Sequence, residues 1–236
     1  MSLPQFFSAS SRWKSDIGWL KSSFSFSFAD YYDPQKMGFG TLRVINDDVI
    51  AAKNGFGMHQ HANMEIITIP LAGTISHKDS MGNSGEVKSW EVQSMSAGTG
   101  IFHSEINEST SETCELFQIW IHTRKNNIAP QYSQVAYTLK IWEWVLLSGP
   151  TQDSNIAYIN QDAYISRRKT QPGEIFSYSP YLNKNIVYVM NISWSFWIWE
   201  FSLERRDALG IFPEGKKIEM ISQNEGDILL IEVPQQ

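Results

Sequence analysis

From Thr41 to Ile121 the chain is a succession of short β-favouring runs: TLRVIN (41–46), MEIITIPL (64–71), TISHK (74–78), EVKSWEVQSM (86–95), TGIFHSEI (99–106) and ELFQIWI (115–121). Ile, Val, Thr, Phe and Trp dominate them, the residues that fit a pleated, half-buried surface. Turn-forming clusters punctuate the runs: Asn46-Asp47-Asp48, Ala72-Gly73, Asp79-Ser80-Met81-Gly82-Asn83 and Asn107-Glu108-Ser109. No long stretch carries the 3.6-residue apolar period of a helix. Short strands at this spacing bury one face each, and the compact solution is an all-β sandwich or barrel.

A polar stretch, His122-Thr123-Arg124-Lys125-Asn126-Asn127-Ile128-Ala129-Pro130, interrupts the pattern and reads as linking sequence. Strand-like runs then resume at 137–147, 155–159, 174–179, 185–203 and 227–233. The sequence thus divides into a first domain at 1–125, a linker at 126–134 and a second domain at 135–236. Within the second, the aromatic run Trp194, Phe196, Trp197, Trp199 and Phe201 reads as a buried strand between core and domain interface.

Composition narrows the function. A hydrophobic content of 42% over 236 residues is enough for a packed core. The net charge is −6, and the basic runs are short, as in Arg167-Arg168-Lys169 and Lys216-Lys217, so no nucleic-acid surface is expected. A single cysteine, Cys114, rules out an intrachain disulfide and reads as a core residue. With no apolar segment of 18 residues and no signal-peptide h-region, the simplest expectation is a soluble cytoplasmic protein without a membrane partner.

The chain has five histidines, at 59, 61, 77, 103 and 122, and none in the second half. Two stand in Gly55-Phe56-Gly57-Met58-His59-Gln60-His61. On a strand, residues i and i+2 share a face about 6.5–7 Å apart, so two imidazoles can converge on one ion. His103 and Glu105 form a second i, i+2 pair after the turn Ala97-Gly98-Thr99-Gly100. Brought together, the two pairs give three nitrogen donors and one carboxylate, a set suited to a divalent first-row metal. His77 and His122 stand alone and read as structural. Glu65, four residues beyond His61, would share its face on a regular strand, as a further ligand or as a group orienting an imidazole.

These residues resemble a known pattern. His59-x-His61-x-x-x-Glu65 and Gly98 followed by His103-x-x-x-Asn107 look like the two motifs of cupin barrels. More specifically, the chain resembles the pirin family, close to its bacterial members with quercetinase activity. The resemblance is carried by Gly18-Trp19-Leu20, Ser27-Phe28-Ala29-Asp30-Tyr31-Tyr32-Asp33-Pro34, Met37-Gly38-Phe39-Gly40, Leu42-Arg43-Val44-Ile45-Asn46-Asp47-Asp48, the HQHANMEIIT stretch, His77-Lys78-Asp79-Ser80-Met81-Gly82-Asn83, Met95-Ser96-Ala97-Gly98-Thr99-Gly100 and Gln118-Ile119-Trp120-Ile121. Three departures stand out. Phe24-Ser25-Phe26-Ser27-Phe28 replaces the family's usual His-Thr-Phe-Ser-Phe, Gln60 replaces a proline, and Trp90-Glu91 replaces a Gly-acid turn. Over 135–236 the likeness rests on length and strand pattern.

The resemblance implies a bicupin fold: two antiparallel β-barrels face to face, with a few short helices and metal only in the first. It implies His59, His61, His103 and Glu105 as the metal ligands, and it moves Glu65 toward an orienting role. Fe²⁺ is the first choice of ion, since it supports O₂ chemistry and an N₃O shell suits it, and Mn, Co, Ni, Cu and Zn are compatible with the donors. The implied activity is oxidoreductase chemistry of the quercetin 2,3-dioxygenase kind: O₂ cleaves the heterocyclic ring of a flavonol such as quercetin and CO is released. Glu105 would be the catalytic carboxylate that accepts the substrate's hydroxyl proton. Some members of the family resemble regulators, so the alternative is a metal-binding protein that acts through a protein partner.

Overall fold

The structure, a computed structural model, describes residues 3–235 and is all-β, with one short 3₁₀ turn at Ala9–Ser11. Its strands form four sheets, a seven-stranded and a four-stranded sheet in each half. The large sheet of the first half runs in the order Gln131–Ala136, Glu91–Ser96, Met64–Ala72, Cys114–His122, Leu42–Ile50, Leu20–Phe24 and Trp13–Asp16, antiparallel throughout. Its small sheet is Asn54–His61, Ile101–Asn107, Thr74–Asp79 and Ser84–Lys88. Among the described residues no sheet closes on itself, so the expected barrels are seen as open sheets packed face to face. The pairing breaks where the chain changes sheet, as at Asn63, whose φ of 52° turns the chain from Asn54–His61 into Met64–Ala72.

Side-chain alternation sorts residues between two cores. In the first half's large sheet, Ile67, Ile69, Phe117, Ile119 and Ile45 face the second half, where they pack with Tyr188, Met190, Leu229 and Ile231. The alternate positions Ile66, Thr68, Gln118 and Trp120 face the interior of the first half. The two large sheets therefore lie back to back over one shared core, each with its small sheet outside. Val187, Val189 and Leu230 pack against Phe196, Ile198 and Met220 on the second half's other side. That interior is apolar, whereas the first half's interior holds a cavity.

Two edge strands lie across the division expected from the sequence. Gln5–Phe7 pairs with Ala208–Ile211 and so belongs to the second half's sheet. The expected linker at 126–134 becomes strand at Gln131–Ala136, which pairs with Glu91–Ser96 of the first half. The N-terminal strand thus crosses to the second half and the connecting segment adds an edge strand to the first, since a short segment saturates its backbone best on an exposed ladder. Other differences are local. The cluster Asn46-Asp47-Asp48, expected as a turn, lies mid-strand in Leu42–Ile50. The run expected at 137–147 is strand only from Val145. The aromatic run is three strands, Asn185–Ser193, Phe196–Ile198 and Phe201–Leu203, broken at Trp194 and Trp199 with φ of 61° and 52°. Phe196 is buried while three indoles are exposed: Trp194 at the passage between two sheets, Trp197 on the outward face of its short strand and Trp199 at a hairpin end.

Buried polar groups tie the halves together. Asp47 accepts a hydrogen bond from Arg206 Nε at 2.8 Å, and Arg12 lies 3.8 Å from the same carboxylate. Among the described residues no helix is long and apolar enough to cross a membrane.

Candidate metal centre

The two histidine strands, Asn54–His61 and Ile101–Asn107, are neighbours in the small sheet, and His103 stands opposite His59 in register. Between His103 and Glu105 the partner strand has one extra residue, a bulge, since Glu105 faces Phe56. The close approach there demands glycine. A Cβ on Gly55 would lie 2.1 Å from the carbonyl oxygen of Glu105. At the entry to the second strand Gly98 has φ of 48°, and a Cβ there would lie 2.2 Å from the carbonyl oxygen of Ile128.

Alternation puts His59 and His61 on the inner face and leaves Met58 and Gln60 outside. The imidazoles of His59, His61 and His103 offer nitrogens that all lie within 4.8 Å of one another. Their ring centroids are 4.4 Å (His59–His103), 4.9 Å (His59–His61) and 5.0 Å (His61–His103) apart. His59 Nδ1 donates to the carbonyl oxygen of Gly57 at 2.7 Å, which leaves Nε2 as a lone-pair donor. Both ring nitrogens of His103 are buried without a hydrogen-bond partner among the described residues. A cation at the shared point would satisfy one of them, so the donor set fits a divalent metal held by imidazole.

Burial, with the neighbouring imidazoles, pushes the His103 pKa down to about 3 and the His61 pKa down to about 4. Both rings are therefore neutral at pH 7, the form that binds metal. The same shift has a cost in acid. An unfolded histidine takes its proton near 6.5, so between that pH and the folded value the unfolded chain binds more protons and stability falls as pH falls. We expect the Tm of the metal-free protein to drop between pH 6.5 and pH 4, and His103→Asn to flatten that drop. Parallel Tm–pH curves for the two proteins would contradict the burial argument.

The histidines end a cavity of about 360 Å³ inside the first half. One wall is aromatic and continuous: Phe24 meets Phe28 at 5.2 Å, Phe28 meets Trp120 at 5.2 Å, and Trp120 meets His61 at 4.8 Å. Phe24, the first residue of the departing Phe-Ser-Phe-Ser-Phe stretch, thus lies in the cavity itself. Glu105 lines the same space. Its Oε1 accepts from Thr68 Oγ1 at 3.0 Å and its Oε2 from Gln118 Nε2 at 2.9 Å. The carboxylate shares the cavity with the three imidazoles and is steered by two donors of the large sheet.

Glu65 has a different place from the one expected. The turn at Asn63 moves the chain to the other sheet and breaks the parity with His61, so Glu65 faces the second half. There Oε2 accepts from Ser96 Oγ at 2.5 Å and from the backbone N–H of Asn160 at 2.9 Å. It fastens the two halves and orients no imidazole through these bonds. His77, read as an isolated structural histidine, packs behind His103 at 5.4 Å between ring centroids, with Nε2 3.3 Å from Asp79. That proximity comes from the pairing of Thr74–Asp79 with the second histidine strand, which puts His77 opposite Glu105. His122 is half-buried, and its carbonyl accepts from Gln161 at 2.7 Å. Cys114 is buried and its thiol is pushed up to about 12, so it remains a packed thiol.

Known proteins share this arrangement of chain. Residues 7–121 match the family described as Pirin, and residues 145–233 match the quercetinase C-terminal cupin domain. A protein of Escherichia coli (strain K12) named quercetin 2,3-dioxygenase is 39% identical over 226 residues, 96% of each chain. A pirin-like protein of Caulobacter vibrioides is 42% identical over 167 residues, 70% of this chain and 72% of that one. The crystal structure of the bacterial pirin YhhW of Escherichia coli in complex with nickel(II) superposes with a TM-score of 0.92 at 37% identity, covering 99% of this chain and 100% of that one. With a match in each half and an identity sustained from end to end, the chain belongs to the pirin family.

Proposed function

We propose that this protein is a metal-dependent dioxygenase that opens the heterocyclic ring of a flavonol such as quercetin with O₂ and releases CO. The observation that carries the reading is the convergence of three imidazoles at one end of an aromatic-walled cavity. The relative named quercetin 2,3-dioxygenase supports the substrate class. His59, His61 and His103 would hold the ion and Glu105 would complete the set, with Fe²⁺ as the ion. When bound, the ion supplies the acidity that ionises a coordinated hydroxyl and the electron transfer that O₂ chemistry needs.

The chain's own residues do the rest. Phe24, Phe28 and Trp120 offer faces and edges to a flat aromatic ring and exclude water from it. Glu105 is the carboxylate placed to take the hydroxyl proton of the substrate. Thr68 and Gln118 hold its two oxygens in one orientation and keep it facing the cavity. Gln118 can keep one oxygen engaged while the other receives the proton, so the acceptor need not reorient during transfer.

The test is an aerobic assay of the Fe²⁺-loaded protein with quercetin, following O₂ uptake, loss of flavonol absorbance and CO release. Turnover with one CO per O₂ supports the reading. Full metal occupancy with no turnover across a flavonol panel would overturn it and favour action through a protein partner. Glu105→Gln keeps the shape of the side chain and removes the proton acceptor. We expect it to lower kcat by about 10²–10⁴-fold, the range for a positioned acid–base group. An unchanged kcat would remove Glu105 from that role.

A further inference from the structure

Away from the histidines, the large sheet of the first half presents polar groups to the cavity that neither the ion nor Glu105 uses. In one row across the sheet, Thr68, Gln118, Asn46 and Phe24 stand in register; in the next stand Leu116, Asp48 and Ser22. Below them Leu20, Ile50 and Cys114 make an apolar floor. Asn46 and Asp48 lie two residues apart on one strand and so share its inner face. Both line the cavity, and they are only 2% and 3% exposed.

Among the described residues the Asn46 amide makes no hydrogen bond, and its Oδ1 is fully buried. Asp48 Oδ1 accepts from the hydroxyl of Ser22, while Oδ2 has no donor among the described residues. Thr68 and Gln118, by contrast, are engaged with Glu105. Unpaired buried polar atoms cost free energy in a core and are retained where a ligand pairs with them. Burial also pushes the Asp48 carboxyl up to about 7 against the pull of Ser22, so it can donate or accept near neutral pH. An amide beside such a carboxyl pairs with a hydroxyl, which is both donor and acceptor.

We propose that Asn46 and Asp48 form a second recognition point, which receives a substrate hydroxyl on a ring edge away from the metal centre. The site then selects polyhydroxylated flat aromatics over congeners that carry only the metal-facing hydroxyl. The proposal rests on the cavity being the substrate site. It assigns Asn46 and Asp48 to specificity, apart from the chemistry assigned to Glu105.

The test separates binding from turnover. The metal-loaded protein, kept free of O₂, is titrated with two probes, quercetin and the unsubstituted parent 3-hydroxyflavone, and read by tryptophan quenching. We expect quercetin to bind about 10–100-fold more tightly, the effect of pairing one or two buried polar groups. In Asn46→Leu, and in the double variant Ser22→Ala/Asp48→Leu, which leaves no orphaned hydroxyl, the ratio should fall below about threefold. Equal affinities in the wild type overturn the proposal without recourse to any variant, and mean that water fills these positions. A ratio that survives in both variants also overturns it. Discrimination in binding without ring cleavage in air keeps the recognition point and removes the dioxygenase reading. Cleavage of both probes at equal affinity does the reverse.

Discussion

His103→Ala is expected to abolish stoichiometric metal binding. The residue sits opposite His59 across the strand pair, 1% exposed, and both its ring nitrogens lack a partner among the described residues. Removing it takes away the second strand's imidazole and leaves the ion to His59, His61 and the proposed Glu105, one nitrogen donor short of the converging set. Loss of a partner outside the ligand shell commonly costs 10–100-fold in metal affinity, and loss of a ligand should exceed that. Elemental analysis after gel filtration should give about one ion per chain for the wild type and about a tenth or less for the variant, if affinity falls by more than that 10–100-fold. Stability gives an independent reading. A well-paired core histidine cut to alanine leaves a cavity and lowers Tm, whereas His103 carries two unpaired buried nitrogens whose removal offsets the lost packing. The metal-free variant should therefore melt close to the metal-free wild type. Full occupancy in the variant would sink the assignment of the centre.

The convergence of His59, His61 and His103 was legible because strand spacing sets it. His59 and His61, and then His103 and Glu105, keep i, i+2 parity within single strands, and the strands themselves are marked by β-branched and aromatic runs. Glu65 shows where that logic stops. Its parity with His61 holds only if the strand continues, and the chain instead turns at Asn63 into another sheet. His77 reaches the back of His103 through a pairing between non-adjacent strands, which no local pattern encodes. Asn46, Asp47 and Asp48 form the most instructive case. A polar triplet looks like a turn, yet it crosses the middle of a buried strand because each member has an unusual environment. Asp47 faces Arg206 and Arg12, while Asn46 and Asp48 face a cavity. Backbone reversals at Trp194 and Trp199 were hidden for the opposite reason: no glycine or proline marks them.

Phe117→Ala is expected to destabilise the whole chain, not one half of it. Phe117 is fully buried in the core that both large sheets share, with the Arg206 guanidinium of the second half 5.1 Å from its ring. Phe→Ala in a packed core costs about 3–5 kcal/mol, since the transfer term and the cavity term add. In a chain of this size that corresponds to a Tm lower by roughly 6–20 °C. The N-terminal strand Gln5–Phe7 completes the second half's large sheet, and the connecting strand Gln131–Ala136 completes the first half's, so the chain between and before the halves is built into both sheets. Glu65 and Asp47 add hydrogen bonds across the same boundary. Such coupling makes unfolding a single transition: a cavity opened in the shared core should move it bodily, and the metal-binding half should melt together with the half that has no histidine. Calorimetry decides the point. Two resolved transitions, with only one shifted by Phe117→Ala, would show that the halves stand independently and that the shared core contributes little to either.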